Sequence, residues 1–161
     1  MAQRGFAVAA FRDGGLWRCE ALPPSVLDDL GVLLSALRGQ PPEGGPFVVA
    51  SVDDEFFLLA RSHGGRIDLL LSDLTAAVEF PLAAQVLDRL GEDPPEEDEL
   101  DEVWPIGELD LFADLEVGEE EMESILDDLD AYPDEMLDTI IERIGLEEQF
   151  RDALSAGRVS R

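Results

Sequence analysis

The sequence contains no lysine, a single cysteine and a single histidine. Cys19 cannot form a disulfide within the chain, which is typical of a reducing compartment. One cysteine and one histidine cannot supply the nitrogen and sulfur ligands of a zinc site. No apolar run approaches the roughly 18 residues of a membrane span, and the first residues lack a signal-peptide pattern. The sequence therefore predicts a cytoplasmic protein without a membrane partner, a metal or a cofactor.

Positive charge is scarce and unevenly placed. The chain has 11 arginines against 38 acidic residues, a net charge of −27. Residues 92–150 hold 25 of the acidic residues and one basic residue, Arg143, whereas residues 1–91 have a net charge of only −5. A field this negative repels nucleic acid and attracts basic proteins. We therefore expect a basic protein partner and no direct binding of nucleic acid.

The first 91 residues contain short apolar runs separated by turns, a pattern typical of antiparallel strands. Two stretches have helical spacing, and each follows a residue that can cap a helix, Ser25 or Asp73. The predicted strands are 6–11, 16–22, 47–52, 55–60 and 66–72, and the predicted helices are 26–37 and 74–90. This element order resembles the roadblock and profilin-like folds, whose five strands form an antiparallel sheet in the order 2-1-5-4-3. We therefore expect an α+β fold with helices flanking a five-stranded sheet.

An acidic stretch, EDPPEEDELDE (92–102), separates these elements from four short predicted helices. Its two prolines favour extended backbone and its like charges repel one another. The sequence predicts a sheet domain (1–91), an acidic linker (92–103), an acidic helical domain (104–154) and a tail (155–161). The helical domain is too small for a comfortable core of its own. We expect it to pack on the sheet domain or on a partner.

No catalytic motif is present in the sequence. His63 precedes two glycines and is interpreted as a turn residue rather than a ligand or base. Cys19 is interpreted as a small buried apolar residue. An EF-hand loop beginning at Asp128 fails, because it would place Pro133 at position six and Thr139 at position twelve. These patterns predict no catalytic, cofactor or metal site.

Carboxylates and one tryptophan are the candidate partner-binding residues. Trp104 is either a core anchor or an exposed docking residue, because aromatic side chains concentrate at binding hot spots. The acidic candidates lie at the start and the end of one predicted helix, and most such charges simply face solvent. The predicted partner-binding residues are Trp104, Glu119, Glu120, Glu121, Asp127 and Asp128.

Five stretches together resemble the actinobacterial tRNA adenosine deaminase-associated protein family. They are FVVASVDDEFFLLAR (47–61), LLLSD (69–73), PLAAQVLDRLG (81–91), WPIGELDLFADL (104–115) and PDEMLDTIIERIGLEEQF (133–150). The resemblance extends from about Gly5 to Leu154 and implies a role beside the deaminase in tRNA modification. It supplies no catalytic residues. The chain lacks the H-x-E and P-C-x-x-C motifs of a zinc deaminase, so it is not the deaminase itself.

The leading hypothesis is a non-enzymatic protein that binds a basic partner, the tRNA adenosine deaminase. One alternative is a stand-alone small-molecule-binding protein or carboxylate-based enzyme, and another is a roadblock-like dimerisation module that forms homodimers. An enzyme should bring polar groups with shifted pKa values into one cleft. A binding protein should instead present a broad acidic face with few exposed apolar anchors.

The division at residue 91 can be tested by limited proteolysis. A glutamate-specific protease should cut first between Glu92 and Glu102, because an extended, charged segment is accessible to proteases. Mass spectrometry of the earliest fragments locates the cuts. First cuts within residues 47–72 would contradict the division.

Overall fold

A computed structural model of the protein describes residues 5–93, 95–96, 105–128 and 130–159, with side chains as far as residue 155. Within these residues one antiparallel sheet has the strand order β2-β1-β3-β4-β5-β6. The strands are β1 (Gly5–Asp13), β2 (Leu16–Ala21), β3 (Phe47–Val52), β4 (Phe56–His63), β5 (Arg66–Leu71) and β6 (Ile106–Gly107). The predicted α+β class with an antiparallel sheet is confirmed.

Five α-helices and three short 3₁₀ turns complete the described structure. The helices are α1 (Leu30–Arg38), α2 (Pro81–Leu90), α3 (Glu119–Leu126), α4 (Pro133–Arg143) and α5 (Glu147–Val159). The 3₁₀ turns are Pro24–Leu27, Leu74–Val78 and Ala113–Leu115. Helices α1 and α2 belong to the first 91 residues. Helices α3, α4 and α5 belong to the rest of the chain, which we call the acidic half.

The number and order of the strands differ from the prediction. A sixth strand is present because Ile106 pairs with Leu71 at the edge of β5. The expected order 2-1-5-4-3 is wrong, since β1 pairs with β3 and not with β5. All six residues of β3 are buried, whereas β5 begins with an exposed and a half-buried residue. The fully buried strand β3 therefore lies in the middle of the sheet between the long strands β1 and β4, whereas β5 has only the two-residue β6 on its outer edge.

Both helices of the first 91 residues begin later than predicted, because a separate 3₁₀ turn precedes each of them. Helix α1 is capped by Asp29, whose Oδ1 accepts a hydrogen bond from the Gly31 N–H at 2.7 Å, and not by Ser25. Helix α2 begins at Pro81. Proline suits the first position of a helix, where its missing N–H has no intrahelical partner to lose.

The sheet carries a hydrophobic core on each face, because successive side chains of a strand point to opposite sides. On the first face, α1 and α2 cover buried residues such as Val48, Ala50 and Leu58. On the second face, residues such as Phe47 and Val49 meet the apolar sides of the acidic helices. The acidic half contributes to this second core Leu111, Phe112, Val117, Met122, Leu126, Met136, Leu137, Ile140, Ile141, Leu146, Phe150 and Ala153.

The acidic helices thus share a core with the sheet rather than forming one of their own. Phe6 of β1 meets Phe150 of α5 edge to face, with ring centroids 5.7 Å apart. Phe47 of β3 meets Phe112 at 4.7 Å. Each fully buried large apolar side chain contributes on the order of 2 kcal/mol. The second face of the sheet supplies the partner that a small helical unit lacks.

A single arginine joins the sheet to the acidic half. Arg61, on β4, has a fully buried side chain. Its Nε and Nη2 donate to the carbonyl oxygens of Gly45 and Gly44 at 2.9 and 2.8 Å. Its Nη1 donates to the carbonyl oxygen of Leu111 at 2.8 Å, and both Nη atoms contact the Asp114 carboxylate, at 2.5 and 3.0 Å. All five N–H donors of the guanidinium therefore have acceptors.

The loop beside Arg61 depends on glycine. Gly45 has a φ of +76°, and a Cβ built there would lie 2.9 Å from both Nε and Nη2 of Arg61. A side chain would therefore need a strained backbone and would displace the guanidinium. The Arg61 guanidinium also lies 5.8 Å from the ring centroid of Phe112, within the range of a cation–π contact.

Replacing Arg61 should destabilise the protein strongly. In Arg61→Ala, the carbonyl groups of Gly44, Gly45 and Leu111 and the Asp114 carboxylate all lose their donor. We therefore expect a loss of about 3 kcal/mol or more in the free energy of unfolding. Urea denaturation followed by circular dichroism measures this loss. The matched control, Arg89→Ala, removes an exposed arginine from the last turn of α2, and should cost less than about 1 kcal/mol. Equal losses in both variants would contradict the role of Arg61.

Candidate partner-binding surface

Helix α3 places its charges away from the sheet because its apolar side is buried. Met122 and Leu126 lie in the second core. The acidic first turn of the helix, Glu119 to Glu121, faces outward and is exposed. Carboxylates in this turn also complement the positive end of the helix dipole. The same amphipathic pattern that packs the helix therefore creates an acidic outer surface.

Three of the predicted residues come together on this surface. Glu120, Asp127 and Asp128 line an open hollow of about 540 Å³, and Glu123 and Ser124 complete its lining. We call these five residues the α3 hollow. One turn of helix separates Glu120 from Glu123 and Ser124, and a second turn leads to the aspartates, so all five share one side of the helix.

The other predicted residues have different positions. Glu121 forms a salt bridge with Arg143 of α4, and both side chains are about half exposed. Its charge is therefore balanced within the chain, which the sequence does not reveal because the partner lies 22 positions away. Glu119 is exposed but does not line the α3 hollow. Trp104 lies outside the residues that the structure describes, so its role stays a prediction.

A second acidic hollow, of about 400 Å³, lies where α4 begins. It was not predicted from the sequence. Gly5, Ser51, Asp53, Asp54 and Asp134 line it. Ser51 Oγ donates to Asp134 Oδ1 at 2.5 Å, and the Asp134 N–H donates to Asp54 Oδ1 at 3.1 Å. The β3–β4 turn thereby caps helix α4 from outside. The adjacent aspartates Asp53 and Asp54 in this turn are the sequence feature from which an acidic surface could have been predicted here.

His63 and Cys19 occupy structural positions. His63 ends β4, and its Nε2 lies 3.8 Å from Oδ2 of the buried Asp68. Arg66 also contacts Asp68, with Nε 3.2 Å from Oδ1. Cys19 packs against the second core, and burial raises the pKa of its thiol to about 12. The thiol is therefore protonated at neutral pH, which agrees with its interpretation as an apolar residue.

Among the described residues, two carboxyl groups have shifted pKa values, and they belong to different parts of the structure. Burial opposes ionisation of Asp114, but the hydrogen bonds and the charge of Arg61 outweigh it and hold the pKa of Asp114 below its ordinary value of 3.8. Partial burial raises the pKa of Asp138 on α4, and the charges of Asp134 and Glu135 act in the same direction. Asp114 contacts β4 through Arg61, whereas Asp138 lines a separate hollow between α4 and α5.

Two further findings apply to the described residues. No group of three or more histidine, cysteine, aspartate or glutamate side chains is arranged there to hold a metal ion. No helix in that part of the chain has the length and apolar character needed to cross a membrane.

Known proteins similar to this chain identify its family. A family model described as "Rv3753c-like tRNA adenosine deaminase-associated protein" matches residues 5–147. The chain belongs to this family. Protein Rv3753c of Mycobacterium tuberculosis (strain ATCC 25618 / H37Rv) is 40% identical over 153 residues, which cover 94% of this chain and 86% of that protein. No solved structure matches the chain significantly. The resemblance found in the five sequence stretches is confirmed, and the family description refers to a protein associated with the deaminase.

The pKa shift of Asp114 predicts a pH-dependent difference in stability. A carboxyl group whose pKa is lowered by folding stabilises the folded state above its unfolded pKa, and this contribution is lost as pH falls through the folded pKa. Asp114→Asn should therefore be less stable than the wild type above about pH 5, and the difference should shrink below about pH 4. Comparing the two proteins by urea denaturation across this range cancels the general charge repulsion. A difference that persists unchanged at about pH 2.5 would contradict the prediction.

Proposed function

We propose that this protein is a non-enzymatic binding partner of the tRNA adenosine deaminase with which its family is associated. The observation that carries the proposal is the division of roles in the acidic half. Most of its apolar side chains are buried against the sheet, while most of its carboxylates are exposed. The outer surface is therefore available for electrostatic recognition rather than needed for folding.

The chemistry of the partner supports this arrangement. A protein that binds tRNA must present a basic surface, since phosphate contacts dominate nucleic-acid affinity. The α3 hollow, together with Glu119, offers a complementary negative surface. Glu121 contributes less, because Arg143 balances its charge. Complementary charge of this kind mainly accelerates association and selects the partner.

The distribution of titratable groups favours a binding role over catalysis. An active site usually gathers groups with shifted pKa values in one cleft. In the described structure the shifted groups are separate: Asp114 contacts Arg61, Asp138 lies between α4 and α5, and Cys19 is in the edge strand β2. The family description likewise refers to an associated protein rather than to the deaminase.

This protein and tRNA would compete for the deaminase. If the acidic surface occupies the basic surface on which the deaminase binds tRNA, the deaminase cannot hold tRNA and this protein together. Such competition would amount to partial mimicry of the charge of RNA. The carboxylates of the α3 hollow would then take the place of phosphate groups.

Titration of the purified deaminase with this protein tests the proposal. We expect binding at about 50 mM salt that weakens at least tenfold at about 500 mM, because screening shortens the range of charge attraction. Saturating tRNA should compete with binding. Absence of binding at low salt would reject the partnership. Binding that tRNA leaves unchanged would retain the partnership and reject the shared surface.

Matched charge variants locate the surface. The triple variant Glu120→Gln, Asp127→Asn, Asp128→Asn should reduce the association rate several-fold and change the dissociation rate little. A control variant removes the same charge from exposed residues of the first 91 positions, and its substitutions are Glu20→Gln, Glu79→Gln and Asp88→Asn. Stopped-flow or biosensor kinetics compares the two. Equal effects would show that only the net charge matters.

A further inference from the structure

Tyr132 is an exposed aromatic residue in the middle of the acidic half. Its relative exposure is 65%, whereas Phe47, Phe112 and Phe150 are buried. The other large apolar residues that are exposed in the described structure, Leu16, Val32 and Val78, are aliphatic and lie in the first 91 residues. Exposed aromatic rings are enriched at protein-binding hot spots.

The fold does not require the Tyr132 ring to begin helix α4. Tyr132 occupies the position before the first helical residue, where serine, threonine, aspartate or asparagine is usual. Two carboxylates accept hydrogen bonds from backbone N–H groups at the helix start, one from Glu135 in the first turn of α4 and one from Asp54 in the β3–β4 turn. Glu135 Oε1 accepts from the Tyr132 N–H at 3.0 Å, and Asp54 Oδ1 accepts from the Asp134 N–H at 3.1 Å. The choice of tyrosine is therefore not explained by capping.

Carboxylates flank Tyr132 on both sides in the chain. Asp128 belongs to the α3 hollow, and its Oδ1 accepts from the Asp130 N–H at 3.1 Å. Asp134 belongs to the hollow at the start of α4. The sequence has no basic residue between Arg89 and Arg143, and Arg143 is paired with Glu121. In the sequence, the exposed Tyr132 thus lies between residues of two acidic hollows, in a stretch that has no basic residue.

We propose that Tyr132, with Asp128, Asp130 and Asp134, forms a receptor for an arginine side chain on the basic partner. A guanidinium group stacks on an aromatic face and donates parallel hydrogen bonds to carboxylates at the same time. Lysine has a compact ammonium group that cannot do both as well. The identity of the partner rests on the function proposed above. The preference for arginine rests only on Tyr132 and the three aspartates named with it.

Substitution of the ring tests the receptor in the deaminase titration. Tyr132→Ala should weaken binding roughly five- to thirtyfold, mainly through faster dissociation, since it removes the cation–π contact. Tyr132→Phe keeps the ring and should stay within about threefold of the wild type. Val78→Ala, at an exposed residue (59%) in the first 91 positions, is the control and should have no effect. Thermal melting confirms that each variant is folded. A Tyr132→Ala variant that binds like Val78→Ala would overturn the proposal.

A second experiment needs no deaminase. Tyr132 is the single tyrosine of the sequence, so selective labelling of tyrosine rings gives one ring signal in nuclear magnetic resonance spectra. The probes are a peptide of alternating arginine and glycine and a peptide with lysine in place of arginine. The arginine peptide should shift the Tyr132 ring signal at a concentration at least fivefold lower than the lysine peptide. Equal behaviour of the two peptides, or no shift with either, would overturn the receptor.

The two experiments separate the two proposals. If the deaminase does not bind the wild-type protein but the arginine peptide shifts the Tyr132 signal, the partnership fails and the arginine receptor stands. If the deaminase binds and Tyr132→Ala has no effect, the partnership stands and the receptor fails.

Discussion

The buried guanidinium of Arg61 is the interaction on which the arrangement of the two halves depends. A buried arginine is costly unless every donor is satisfied. Here the acceptors come from three places, namely the loop at Gly44 and Gly45, the carbonyl of Leu111 and the carboxylate of Asp114. The acidic half can therefore pack on the sheet in one position only. Any shift along the sheet would leave Arg61 N–H donors without the Leu111 and Asp114 acceptors. Apolar contacts supply most of the attraction between the sheet and the acidic half, while Arg61 fixes their relative position.

The same geometry explains why a strongly charged segment can pack on a sheet. Each of α3, α4 and α5 has one apolar side, and these sides form a common core with β1, β3 and β4. The carboxylates point into solvent, where water and counter-ions screen their repulsion. Short-range ties reinforce this arrangement, including the bridge from Glu121 to Arg143 and the cap that Asp54 provides for α4. The acidic half can therefore bury its apolar side although it carries a large negative charge.

Much of the sheet could be predicted from the sequence, because strand periodicity and glycine turns are local signals. The strand order could not. Tight hairpins make β3, β4 and β5 neighbours. No local sequence signal indicates whether β3 or β5, at the two ends of this meander, pairs with β1. Arg61 was also missed, since an arginine at the end of an apolar strand usually faces solvent and its partner Asp114 lies 53 positions away. Exposed carboxylates such as Asp127 and Asp128 could be expected from composition, whereas the exposure of Tyr132 depends on where α4 begins.

The two-faced sheet has a consequence for synthesis of the chain. Strands β1 to β5 end at Leu71, whereas the residues that cover the second face begin at Leu111. At ribosomal rates of about 5–20 residues per second, the intervening segment takes roughly 2–8 s to be made. During that interval the second face lacks the cover of the acidic helices, and apolar residues of the sheet such as Phe57 and Leu59 remain accessible to solvent or to a chaperone. The acidic segment 92–102 is made before the covering helices, and the negative charge that it adds to the chain opposes association between unfinished chains.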